Sequence, residues 1–117
     1  MLTEQSHINE SNLSNLYQRL MQINQEIFAD GHYNVAYHVL AAALYCARTL
    51  SDIQGLVEVE WVAHEQLQWI DAHHSEYEHS TQSAFARGRL SIYYQLARQA
   101  RAKVLIIESE ARQQAHE

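Results

Sequence analysis

Not one of the 117 residues is proline, where average usage of about 5 % would supply roughly six. Proline removes a backbone donor and clashes with the preceding helical turn, so its absence leaves long stretches free to coil. Only Gly31, Gly55 and Gly88 weaken a chain otherwise made of helix-compatible residues. The sequence therefore predicts an all-α fold. A chain this long fits one domain and buries about two thirds of the surface its unfolded form exposes.

The segment from Gly31 to Leu50, GHYNVAYHVLAAALYCARTL, is the candidate centre of that fold. At about 100° per residue, Tyr33, Ala36, Tyr37, Leu40, Ala43, Leu44 and Ala47 form one stripe. Val35, Val39, Ala41, Ala42, Tyr45 and Cys46 cover the other sides, and only Asn34, His38 and Arg48 interrupt them. A helix apolar nearly all round is buried on more than one side. Its apolar run is too short, and its ends too polar, for the ~20 residues that span a bilayer.

The preceding helix opens at Ser11, a candidate N-cap. Leu13, Leu16, Tyr17, Leu20, Met21, Ile23, Ile27 and Phe28 share its apolar face, with Asn24 in the middle as an amide that needs partners if buried. Asp30-Gly31 ends it, since glycine adopts the left-handed conformation without a Cβ penalty. The short turn makes the next helix antiparallel. Over Leu20 to Leu44, the turn Gly31-His32-Tyr33 followed by Ala36, Leu40, Ala43 and Leu44 resembles the inter-helix turn and second helix of a tetratricopeptide repeat. No second copy follows one period later. The resemblance thus implies one close-packed helical hairpin with small residues at the crossing, not a peptide-binding solenoid, which needs about three repeats.

Helix three is predicted to start at Ser51-Asp52-Ile53-Gln54, a capping-box pattern, and to run to His73. Ile53, Leu56, Val57, Ala63, Leu67 and Ile70 form its expected core arc, with Val62 and Trp69 on the other side. The linker Ala72 to His79 is polar, histidine-rich and expected to be a flexible, solvated turn. Helix four, capped by Ser80 or Thr81, is expected to reach Glu110 with Phe85, Ile92, Tyr93, Leu96, Ala97, Ala100, Val104 and Ile107 inside. The sum is a four-helix up-and-down antiparallel bundle over 11–29, 33–49, 52–73 and 81–110, flanked by a flexible or partly helical arm, 1–10, and a polar tail, 111–117.

Charge narrows the function classes. The net charge of -6 opposes general affinity for nucleic acid or anionic membrane. Residues 1–80 hold eleven acids against Arg19 and Arg48, whereas 81–117 hold six bases against three acids. The lone Cys46 makes no internal disulfide, and no signal sequence is visible, so a reducing cytoplasm is the expected setting. On its apolar helix the thiol is expected to be inert. No phosphate-binding loop or nucleophile elbow occurs, and no catalytic residue is predicted.

Four groups remain as candidate sites. Glu60, His64 and Asp71, at i, i+4 and i+11, converge on one helix face as a metal or proton-transfer site would require. The competing reading is a buried ion network in which Arg89 meets Asp71 or Glu65 with His64 nearby. His73, His74 and His79 can take a divalent transition metal opportunistically, although no cofactor is expected. Arg87, Tyr94, Arg98, Arg101 and Arg112 form a basic stripe, more simply explained by protein acids than by phosphate. Finally, Val104-Leu105-Ile106-Ile107 points in four directions on an overhanging helix end and, with Val39, Ala42 and Cys46, forms the expected interface of a homodimer. The overall expectation is a non-enzymatic, self-associating interaction or scaffold module, with a metal- or small-ligand-binding bundle as the alternative.

Overall fold

A computed structural model describes residues 9–116. Among these residues every regular element is helical: α1 Glu10–Ala29, α2 Tyr33–Leu50, α3 Ile53–His73, α4 Thr81–Ala86 and α5 Ile92–Ala115. The all-α expectation holds, but a fifth helix replaces the expected count of four. The chain divides into two compact units with the boundary between Asp52 and Ile53. No helix among the described residues is long and apolar enough to cross a membrane. The arm anchors Leu2 and Ile8 lie outside the described residues.

The first unit is the α1–α2 hairpin. α1 begins before Ser11, because Asn9 is the cap: its Oδ1 accepts from the Asn12 amide at 2.8 Å. At the other end Gly31, at φ +86°, occupies the left-handed position, with His32 N–H on the Ile27 carbonyl and Gly31 N–H on the Phe28 carbonyl. This 6→1 and 5→2 pair satisfies the last carbonyls of α1. Tyr17, Met21 and Asn24 pack from α1, and Ala36, Leu40, Ala43, Leu44 and Ala47 from α2, while Phe28 and Tyr33 meet at 4.9 Å across the turn. Asn24 is wholly buried, and its Nδ2 donates to the Ala36 carbonyl at 2.8 Å. The same 6→1 and 5→2 pattern ends α2, with Asp52 N–H on Ala47 and Ser51 N–H on Arg48. Ser51, at φ +50°, therefore closes α2 in the left-handed region and is not the N-cap that the capping-box pattern suggested.

The second unit pairs α3 with α5 in antiparallel fashion, as the contacts of Glu60 with Arg101 and of His64 with Tyr94 require. Leu56, Val59, Val62, Ala63, Leu67 and Ile70 face Tyr93, Leu96, Ala97, Ala100 and Val104 as the buried set. The α3 arc is rotated relative to expectation: Val59 and Val62 are inside, whereas Ile53 and Val57 are exposed. The long fourth helix is interrupted. Gly88 is left-handed at φ +75°, and Arg89 N–H on Ala84 with Gly88 N–H on Phe85 repeats the terminating pattern of α1. Ser91 then caps α5 by accepting from the Tyr93 amide and donating to the His79 carbonyl at 2.6 Å. Phe85, expected inside, is consequently 79 % exposed. α5 runs on to Ala115, so the expected polar tail is helical for most of its length.

Candidate functional site

The residues with unexplained chemistry gather on one side of the α3–α5 pair. A groove of about 490 Å³ is lined by Glu60 and His64 of α3 and by Tyr94, Arg98, Arg101 and Leu105 of α5. Their positions follow from helical spacing, since Tyr94, Arg98, Arg101 and Leu105 succeed one another at four, three and four residues. The Arg101 guanidinium holds the half-buried Glu60 carboxylate by two contacts, Nη2 to Oε1 at 3.1 Å and Nε to Oε2 at 3.2 Å. This fork-on-fork geometry is the favourable one for arginine and carboxylate. The His64 ring lies edge-on to Tyr94 at 6.4 Å, and Arg98 sits over the Tyr94 ring at 5.9 Å. Beyond Tyr94 a smaller, mostly apolar hollow of about 190 Å³ is lined by Thr81, Phe85, Arg89, Leu90, Ser91 and Tyr94.

Asp71 does not join Glu60 and His64. Its carboxylate faces the start of α4, where Oδ1 accepts from the Thr81 amide at 2.8 Å and Oδ2 from the Thr81 hydroxyl at 2.7 Å. No group of three histidine, cysteine or acidic side chains placed to hold a metal occurs among the described residues. The proposed Glu60, His64 and Asp71 constellation is thus split between an ion pair and a helix cap. The buried network fails for a related reason. Arg89 lies in the turn after Gly88, fully outside the helix that would have carried it inward, and is exposed, as are Glu65, His64 and Asp71.

The histidine-rich linker is held in place rather than loosely solvated. His73 stacks on Trp69 at 4.3 Å with Nδ1 2.9 Å from the Trp69 carbonyl. His74 reaches Glu76 at 3.3 Å, and His79 lies 3.8 Å from Glu78, which also meets Arg87 at 3.5 Å. The Ser75 carbonyl accepts from both Ser80 and Ser83 hydroxyls at 2.6 and 2.7 Å. Each imidazole thus turns to its own neighbour, which is why His73, His74 and His79 form no ligand set. Burial, then the Glu78 charge, pushes the Tyr77 phenol up to about 12, so this tyrosine stays neutral. Burial likewise raises the Cys46 thiol, in keeping with an inert cysteine.

The expected interface residues separate into two kinds. Val104 and Cys46 are buried, and Val39, Ala42 and Ile107 are half-buried. Leu105 and Ile106 are 54 % and 51 % exposed. Sequence reasoning missed Trp61, which is 63 % exposed, and placed Phe85 inside. The Gly88 to Ser91 stop-and-cap signal was the clue to Phe85; for Trp61 the broad apolar arc of α3 gave none.

No family model, curated protein or solved structure matches this chain.

One consequence of the Asp71 assignment is measurable. Asp71→Ala is expected to lower stability by about 1 to 2 kcal/mol, the range for losing a capping carboxylate. Arg89→Met is expected to stay within about 0.5 kcal/mol of wild type, as an exposed substitution does. Urea denaturation of both variants distinguishes this arrangement from a buried Asp71–Arg89 pair, for which both losses would be large.

Proposed function

We propose that this protein is a non-enzymatic helical interaction module that associates with itself through the outward face of α5. The observation that carries the reading is the exposure of Leu105 and Ile106, each more than half open in the middle of a long helix. Their neighbour Val104 serves the α3–α5 core, whereas about half of each of these two side chains is left open. Burying the exposed half of a leucine and an isoleucine from each copy contributes about 1 kcal/mol per side chain. A two-fold pairing doubles that contribution, because the same patch is buried twice.

The site chemistry supports this assignment over catalysis. Glu60 and Arg101 neutralise each other, Asp71 is engaged with Thr81, and no side chain in the groove is paired as nucleophile with base. Wild-type protein is expected to sediment as a dimer at micromolar concentration. Leu105→Glu combined with Ile106→Glu is expected to give a folded monomer with unchanged helical circular dichroism. A wild-type chain that sediments as a monomer and is indifferent to the double substitution would remove this proposal.

A further inference from the structure

On α5, Gln95, Arg98, Ala102, Leu105, Ser109 and Arg112 recur at alternating intervals of three and four residues. All are exposed except the half-buried Ser109. This is the spacing of a coiled-coil seam, and it lies on the side of the helix opposite the buried Tyr93, Leu96, Ala100 and Val104. Its middle residue is small. Beside Ala102 lies a shallow hollow of about 310 Å³, bounded by Gln95, Arg98 and Gln99, in which a large side chain can seat. The next two exposed apolar residues along the helix are Leu105 and Ile106.

Charge is distributed unevenly along the same helix. Arg98 and Arg101 stand on the N-terminal side of Ala102, and Glu108 stands beyond Leu105. Arg98 and Glu108, on either side of Ala102 and Leu105, can therefore meet when the helix is paired with its own reverse, whereas Arg112 falls opposite Gln95. With Ala102 of one copy opposite Leu105 of the other, Leu105 and Ile106 enter the hollow over Ala102 and Gln99. In that register Arg98 of each copy lies beside Glu108 of the other, while Arg101 stays on Glu60 of its own chain. Parallel pairing would instead set Arg98 against Arg98. Sliding an antiparallel pair by seven residues toward the N-termini brings Arg98 of one copy beside Arg101 of the other. Opposed charges direct register in this way because like-charge juxtaposition is costly and unlike charges are favourable.

Resting on the self-association reading, we infer that the partner on this face is a second copy of the chain, bound with α5 antiparallel to α5 about a two-fold axis between residues 103 and 104. The small Ala102 lets the helices approach to about 8 Å. Leu105 fills the hollow of the other copy, and the Arg98–Glu108 contacts occur twice.

The test uses full-length protein in two measurements. A nitroxide is attached at the exposed Gln113 as Gln113→Cys, in a Cys46→Ala background whose fold and sedimentation are checked first. Antiparallel pairing in this register places the two labels about 30 Å apart, at 1.5 Å of rise per residue, whereas parallel helices bring them to about 10 Å. Separately, Glu108→Arg is expected to weaken dimerisation about tenfold, a difference of about 1.4 kcal/mol, through like-charge contacts repeated by symmetry. Mixing Glu108→Arg with Arg98→Glu is expected to give a heterodimer tighter than either variant alone. Both substitutions are at exposed positions, so the fold survives them. A monomeric wild type overturns self-association itself. A dimer with labels closer than about 20 Å, or one indifferent to Glu108→Arg, keeps self-association and overturns this register.

Discussion

Asn24→Asp should be among the most damaging single substitutions in the first unit, lowering stability by about 3 to 5 kcal/mol at neutral pH. Asn24 is wholly buried in the α1–α2 hairpin, and its amide nitrogen donates to the Ala36 carbonyl at 2.8 Å. Aspartate keeps the shape but replaces that donor with an acceptor and adds a charge facing a carbonyl oxygen. Burial and the loss of the donor raise the folded-state pKa of such a carboxyl above its unfolded value. The penalty is therefore present above the folded pKa and is relieved as pH falls and the carboxyl becomes protonated. Asn24→Ala is expected to cost less, about 2 to 3 kcal/mol, from the lost hydrogen bonding of the amide, that to the Ala36 carbonyl included, and a partly collapsed cavity. Urea melts of the three proteins at pH 7 and pH 4 decide the point. Equal losses for the two substitutions, unchanged by pH, would show that Asn24 is not sealed from water.

Part of this architecture was legible in the residues. The α1–α2 hairpin was, because Gly31 is followed by Ala36, Leu40, Ala43, Leu44 and Ala47, which allow only one tight face. All five are buried. The α5 face was equally plain, since Tyr93, Leu96, Ala97, Ala100 and Val104 alternate with arginines and glutamines. α3 was ambiguous. Valine, isoleucine and tryptophan cover so much of its circumference that periodicity permits two core arcs differing by a small rotation, and the observed one leaves Ile53, Val57 and Trp61 outside.

The candidate sites failed at a different level. Helical spacing correctly places Glu60 and His64 beside one groove, but spacing says nothing about what each carboxylate meets across the fold. Arg101 came to Glu60 from forty-one residues away. Arg89 was misread because an uninterrupted apolar period across Gly88 looked like a continuing helix. A left-handed glycine and a serine cap, each a local signal, outweighed that period by satisfying the backbone groups at both helix ends.

Within the second unit, Tyr93→Ala is expected to cost about 3 to 5 kcal/mol, the range for truncating a buried large aromatic. Tyr93 is the largest wholly buried side chain in the described chain. Its neighbours one and two turns on include the small Ala97 and Ala100, and Leu96 is already held in the core, so the space it vacates is only partly filled. No buried side-chain polar atom among the described residues lacks a hydrogen-bond partner, and that includes the Tyr93 hydroxyl. Tyr93→Phe therefore separates the two contributions. It keeps the ring but removes the hydroxyl's hydrogen bond, a loss of about 1 kcal/mol. The ordering alanine, then phenylalanine, then wild type in urea midpoint is the expected result. Were phenylalanine as damaging as alanine, the hydroxyl network rather than ring packing would hold α5 against α3.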